Sequence, residues 1–212
     1  LRYTWHMNHN TNNLQSATDK IIFEIHRLLQ HKNPLLVALD GRSGTGKSTL
    51  AQTIASRVES AIVVGDDFYA GGNDDAWSGL SAREKVAKVI DWQRMRAQVL
   101  EPLLAQKPAS WHPLDFQLEI GWVGWKDETV SLAPTPLILL DGAYSARPEL
   151  ADLVDLAILV EADDKARRER LVTREGQSFM ERWHKLWDPA EDYYFTHVRP
   201  RSSFDIIVSN DA

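Results

Sequence analysis

Cysteine is absent from the 212-residue chain. That excludes a disulfide scaffold, a zinc–thiolate site and a cysteine nucleophile, and it fits the cytoplasm. Long hydrophobic runs are missing too. No apolar stretch approaches the ~20 residues that a membrane span needs, so no membrane association is expected. Positive charge is in the minority, with 24 Lys and Arg against 30 Asp and Glu and a net charge of −6. A surface of that sign argues against broad attraction to nucleic acid, which requires a basic face. Any anion must therefore be held by a local cluster of positive groups. The opening residues, "LRYTWHMNHNTN", lack the apolar core of a signal peptide. Residues 1–15 read as a flexible leader, with Met7 as a natural start.

The rest is ordinary for a globular protein, 43% apolar and 25% charged, and residues 16–212 read as one domain. Ile21, Ile22, Ile25, Leu28 and Leu29 recur at helical spacing, with Ser16 or Thr18 as N-cap, and Pro34 ends that helix. Four short apolar runs look like buried strands: Leu35–Leu39, Ala61–Val64, Pro136–Leu140 and Leu156–Val160. Phe204–Val208 makes a fifth. Helices are expected over 47–58, 81–105 and 164–173, and a hairpin-like excursion over about 107–132. Strands alternating with helices predict an α/β fold: three layers, with a mostly parallel five-stranded sheet covered on both faces. Ligands of such sheets bind beyond the carboxyl ends of the strands. The loops after Leu39, Val64, Leu140 and Val160 are therefore the ones to inspect.

The first of these loops carries a phosphate-binding pattern. Gly41, Gly46, Lys47 and Ser48 fit G-x-x-x-x-G-K-[ST], between a buried strand and a helix. The glycines let main-chain N–H groups converge on one anion, and the helix adds its positive end. Gly41, Ser43, Gly44, Thr45, Gly46, Lys47, Ser48 and Thr49 are thus expected to seat ATP. Lys47 would reach the β- and γ-phosphates, and the Ser48 hydroxyl would hold Mg²⁺. No N-K-x-D guanine reader and no L-S-G-G-Q signature are present, and the size suits a compact kinase.

A kinase needs a base at the acceptor hydroxyl and positive charge over the moving phosphoryl group. "VVGDDFY" places Asp66 and Asp67 after the second strand, and either could take the proton. Asp141, after the third, stands where a carboxylate would hold Mg²⁺. Arg167, Arg170 and Arg174 recur at i, i+3 and i+7, on one helix face, and suit phosphate clamping. Arg174-Glu175-Gly176 reads as the hinge of a lid over about 174–190.

These segments resemble the uridine kinase and phosphoribulokinase-like group of P-loop kinases, over roughly residues 34–209. "GDDFY" is similar to the D-S-F-Y of uridine kinases, "HPLDF" to their Y-D-F, "LILLDGAY" to their F-E-G, and "FDIIV" to their last strand. The resemblance implies Asp66 as catalytic base, with Lys47 and Arg170 stabilising charge and Arg167 on the nucleotide. It implies Asp67, Tyr69, Asp91, Asp115, Phe116 and Arg174 on the acceptor, and Asp141 with Ser48 on the metal. The acceptor it implies is a small hydroxyl compound of the uridine or cytidine type. A nucleoside monophosphate, a pantothenate-like alcohol, a sugar acid, or a switch ATPase with no acceptor are the rivals. A homodimer is left open. Leu114 stands in place of the Tyr of Y-D-F, and a Trp-rich stretch follows Arg174 where uridine kinases carry a different segment.

Overall fold

The computed structural model describes residues 11–115 and 124–210. Met7 and Phe116 lie outside these. The described chain opens with α1 (Thr11–Leu29), so residues 11–15 of the expected leader are helical and Ser16 and Thr18 sit inside the helix rather than capping it. Then come β1 (Leu35–Asp40), α2 (Lys47–Ala55) and β2 (Ser60–Val64), followed by a 3₁₀ turn, Gly65–Phe68. α3 (Asp74–Ser78) and α4 (Ala82–Lys88) precede α5 (Trp92–Met95), a π turn at Arg96–Leu100 and α6 (Glu101–Leu104). Two short strands, β3 (Ala109–Trp111) and β4 (Val130–Leu132), pair antiparallel. β5 (Leu137–Asp141), β6 (Leu156–Glu161), α7 (Asp164–Glu175), α8 (Gln177–Leu186), α9 (Asp188–Tyr193) and β7 (Ile206–Ser209) complete the chain.

The main sheet has five strands, all parallel, in the order β2-β5-β1-β6-β7. β1 is buried along its whole length. Leu35, Val37 and Leu39 face α1 and α2, where Ile21, Ile25, Leu50 and Ile54 pack. Leu36 faces the other layer with Phe68, Val99, Leu100 and Tyr194. The alternation within one apolar run is what a strand covered on both sides requires. The expected α/β fold is thus the observed one, and the excursion over 107–132 does contain a hairpin.

One long helix over 81–105 is not what forms. The helix ends at Val89, and the chain there pairs with the loop after β2: Ala70 N–H donates to Val89 O at 2.9 Å and Asp91 N–H to Phe68 O at 2.8 Å. The apolar period runs on through Val89 and Ile90, but their main chain bonds more profitably across to the loop. Farther along, Pro102 has no N–H to offer its i−4 carbonyl, and the turn before it is wound as a π-helix.

Because β1 lies between β5 and β6, the strand order reverses around it, and its carboxyl end opens onto a crevice. Asp40 closes the base of that crevice. Its buried carboxylate accepts from Gly41 N–H at 2.7 Å, from Tyr144 and Ala146 N–H at 2.9 Å each, and from the Tyr194 hydroxyl at 2.8 Å. Burial pushes this carboxyl upward and the hydrogen bonds from Ala146, Tyr194 and Gly41 oppose it. The root of the phosphate loop is thereby tied to the segment after β5 and to the end of α9.

Candidate active site

Residues 41–46 wrap around the start of α2 in a turn that only glycine permits at two close approaches. Gly41 has φ +150°, and a Cβ there would lie 2.2 Å from the Val160 carbonyl of β6. Gly46 has φ +92°, with a Cβ 2.3 Å from Asn210 Nδ2. The carbonyls at the tip are each held from outside. Ser43 O accepts from Arg167 Nε at 2.9 Å, Gly44 O from Arg170 Nη1 at 3.1 Å, and Thr45 O from Asn210 Nδ2 at 2.8 Å. In a trans peptide the carbonyl and the following N–H point in opposite directions. Pulling these carbonyls outward therefore turns the next amides, among them those of Gly44 and Gly46, to the inner side of the turn. The result is an anion nest at a helix N-terminus. Lys47 is nearly buried, its ammonium 3.0 Å from Arg42 O, inside the same turn.

Ser43, Gly44, Gly46, Lys47, Ser48 and Thr49 line a cavity of about 1080 Å³. That is at the top of the ~300–1,000 Å³ range of single-ligand pockets, enough for a nucleotide and a second reactant. Gly41 and Thr45 shape the turn from behind: the Thr45 hydroxyl donates to Arg42 O at 2.9 Å.

The carboxylates come from two neighbouring strand ends. A Cβ on Gly142 would sit 3.2 Å from Gly65 Cα, so the chain after β2 and the chain after β5 touch. This contact brings Asp66 and Asp141 onto one wall of the cavity. Burial pushes the Asp141 carboxyl above the usual aspartate range, the Ser48 hydroxyl and the Lys47 charge pull it back, and Asp66 pushes it up further. Asp141 Oδ1 is buried without a hydrogen-bond partner. A buried acceptor left open, beside the serine hydroxyl that ends the phosphate motif, is a fit for Mg²⁺, a hard cation that takes oxygen ligands and keeps most of its waters. Among the described residues no group of three His, Cys, Asp or Glu is placed to hold a metal, so Ser48 and Asp141 would share the ion with the nucleotide.

Asp66 is exposed to the cavity, whereas Asp67 turns away from it. The Asp67 carboxylate accepts from Trp111 Nε1 at 2.9 Å, and burial raises it while that bond lowers it. Its carbonyl accepts from Arg94, whose guanidinium lies 4.4 Å from the Phe68 ring centre and 4.0 Å from that of Trp125. Asp67 thus anchors the hairpin, and Asp66 remains as the candidate base. Tyr69, Leu114 and Asp115 line the cavity, and burial raises the Tyr69 hydroxyl. Asp91 does not line it: it is exposed and caps α5, accepting from Arg94 N–H at 2.9 Å. Phe116 falls outside the described residues.

The arginine row divides. Arg170 and Arg174 line the cavity. Arg167 does not: it is 4% exposed and bonded to Ser43 O, Asp164 and Glu191 behind the phosphate turn. The residue expected on the nucleotide is thus placed behind the turn and not on the cavity wall. α7 leans on the turn at Gly44, and its inner face meets main chain before it meets the cavity.

Three contributors were missed in the sequence. Asn210 follows the last strand and Glu191 sits within the Trp-rich stretch, and neither belongs to a recognisable motif. Trp183, with Leu186 and Trp187, walls the cavity from α8 and the turn after it. Their helical spacing was legible; the face they meet was not. Trp187 packs on Trp77 at 5.0 Å and on Tyr69 at 5.7 Å, and Lys85 Nζ donates to Leu186 O at 3.0 Å. Gly176, at φ +91° with open space around it, separates α7 from α8.

A family model described as RNA helicase matches residues 37–118, less than half of the chain and including the phosphate loop. The chain is 28% identical to a uridine kinase of Clostridium tetani over 178 residues, which are 80% of this chain and 79% of that one. In fold it is similar to a possible uridine kinase from Bacillus stearothermophilus, with a TM-score of 0.65, 19% identity, and 92% and 98% of the two chains covered. It is also similar to a D-glycerate 3-kinase from Cryptococcus neoformans, with a TM-score of 0.63, 13% identity, and 92% and 95% covered.

Proposed function

The chain is a relative of the uridine kinases with the fold of a P-loop kinase, and from that premise we propose that it transfers the γ-phosphoryl group of ATP to a hydroxyl of a nucleoside of the uridine or cytidine type. The observation that carries the reading is that the phosphate turn, Asp66, Asp141 and three arginines, Arg170, Arg174 and Arg182, all open into one cavity. A nucleotide switch needs the turn; it does not need an exposed carboxylate facing it across a hollow with an apolar wall.

In this reading the amides of the turn and the Lys47 ammonium hold the polyphosphate. Ser48 and Asp141 hold Mg²⁺, which supplies positive charge to the phosphate oxygens when bound. Asp66 orients the acceptor hydroxyl and takes its proton as the new oxygen–phosphorus bond forms and the bond to the ADP oxygen breaks. Arg170 and Arg174 meet the charge on the moving group. The segment 174–190 serves as lid, hinged at Gly176, and Trp183 brings an aromatic face to the acceptor ring.

The test is Asp66→Asn. General-base loss costs about 10²–10⁴-fold, so turnover should fall by at least ~100-fold while MgADP still binds in calorimetry. Undiminished turnover removes Asp66 from the chemistry. A panel of nucleosides and small alcohols then reads the acceptor through ADP release. ADP release that depends on RNA, or on nothing added, replaces the kinase reading with a helicase-like or switch ATPase.

A further inference from the structure

Ser43, at the tip of the phosphate turn, is held at all three of its polar atoms. Its N–H and its hydroxyl both donate to Glu191 Oε1, at 3.0 and 2.9 Å, and its carbonyl accepts from Arg167 Nε at 2.9 Å. Arg167 Nη2 then reaches Glu191 Oε2 at 3.2 Å, closing the ring. Both charged partners are buried, Glu191 at 1% and Arg167 at 4% exposure. Burial pushes the Glu191 carboxyl up, and the Arg167 charge and the Ser43 bonds hold it down. Asp188 stands 3.8 Å from the same guanidinium, and Asp164 3.0 Å from its other side.

A carboxylate at the rim of an anion nest is an electrostatic oddity. It repels the polyphosphate the nest is shaped to take, and burying it is costly unless it is paired and hydrogen-bonded. Its position makes sense if it acts on the turn rather than on the ligand. We propose that Glu191 is a positioning residue of the phosphate cradle. It fixes the Ser43 peptide and draws Arg167 behind the turn. The Gly44 amide is then aimed inward before any nucleotide arrives, and of the three arginines on α7 only Arg170 and Arg174 are left to line the cavity. Since Glu191 lies on α9, just beyond the proposed lid, the brace also ties the end of that segment to the cradle.

The experiment reads MgADP binding first and, as its control, the acceptor KM of the proposed transfer. Charge-assisted bonds of this kind are the strong ones, so Glu191→Ala should weaken MgADP binding by about tenfold or more in calorimetry. Glu191→Gln should recover to within about fivefold of the unaltered protein, because its amide oxygen can still accept from Ser43. Acceptor KM should stay within about twofold in both, which a general loss of structure would not leave in place. The proposal is overturned if Glu191→Ala binds MgADP as tightly as the unaltered protein or more tightly. It is equally overturned if nucleotide and acceptor affinity fall together in both variants. Should Glu191→Ala fail to fold, amide exchange in the nucleotide-free native protein decides: slow exchange at Ser43 is expected, and exchange at the rate of an open loop defeats the brace. A native protein that binds no MgADP at all would count against the phosphoryl-transfer reading, while the exchange measurement would still judge the brace.

Discussion

At the phosphate end of the cavity the lining comes from one short stretch of chain, Ser43, Gly44 and residues 46–49. At the proposed acceptor end the lining comes from four separated stretches, around Asp66–Asp75, Val89–Ile90, Leu114–Asp115 and Trp183–Trp187. In the proposed reaction the first end binds an invariant chemical group, and a fixed backbone shape serves for that. In the same reading the second discriminates between acceptors, and side chains on different segments can be exchanged without disturbing the sheet. The cations follow the same division. Lys47 and Arg170 stand at the phosphate end, while the acceptor end has Asp66, Asp115 and a surface pair, Arg182–Asp74.

If the two ends are separable, substitutions should divide cleanly between nucleotide and acceptor affinity. The largest effect belongs to Gly41→Ala. The added Cβ meets a main-chain oxygen at 2.2 Å, which has no flexible end to swing away. Overpacking of about 1–3 kcal/mol at a root this close to the nest should weaken MgADP by roughly tenfold to 100-fold and lower the midpoint of thermal unfolding. Calorimetry and a melting curve would show both, and an unaffected nest would mean that the turn tolerates displacement from β6. Next is Trp183→Ala. Loss of an aromatic wall should raise acceptor KM about tenfold with nucleotide affinity unchanged, and steady-state kinetics with each substrate varied in turn would reveal any leakage between the ends. Smallest is Arg182→Ala. The Arg182–Asp74 pair is half exposed on both sides, at 57% and 50%, and such pairs are worth about 0–1 kcal/mol. Acceptor KM should move less than about fivefold, and less again at high salt. A larger change would make that pair part of the acceptor contact.

The five strands were readable because each is a short apolar run bounded by turn residues, and a run buried on both faces needs no partner to identify it. The helix break at Val89–Asp91 was not, since it exists only because the loop after β2 offers hydrogen bonds there. Asp66 and Asp67 were indistinguishable as neighbours. Trp111, more than forty residues away, takes Asp67 for the hairpin and leaves Asp66 to the cavity. Arg167, Arg170 and Arg174 share a helix face, yet Arg167 is drawn behind the turn onto Ser43 O and Glu191, while Arg170, which also bonds the turn at Gly44 O, lines the cavity with Arg174.

The amino-acid sequence by itself determined the parallel sheet and the glycine-spaced turn at the end of its central strand. Apolar periodicity and a glycine-spaced motif act over a few residues, and local sterics and hydrogen bonding suffice for them. Only the tertiary structure decided which acid faces the hollow, which arginine packs behind the turn and which line the cavity, and that Glu191 reaches Ser43 from 148 positions away. Those outcomes depend on which distant groups share a buried site, because a charge removed from water must find its partner wherever the fold brings one.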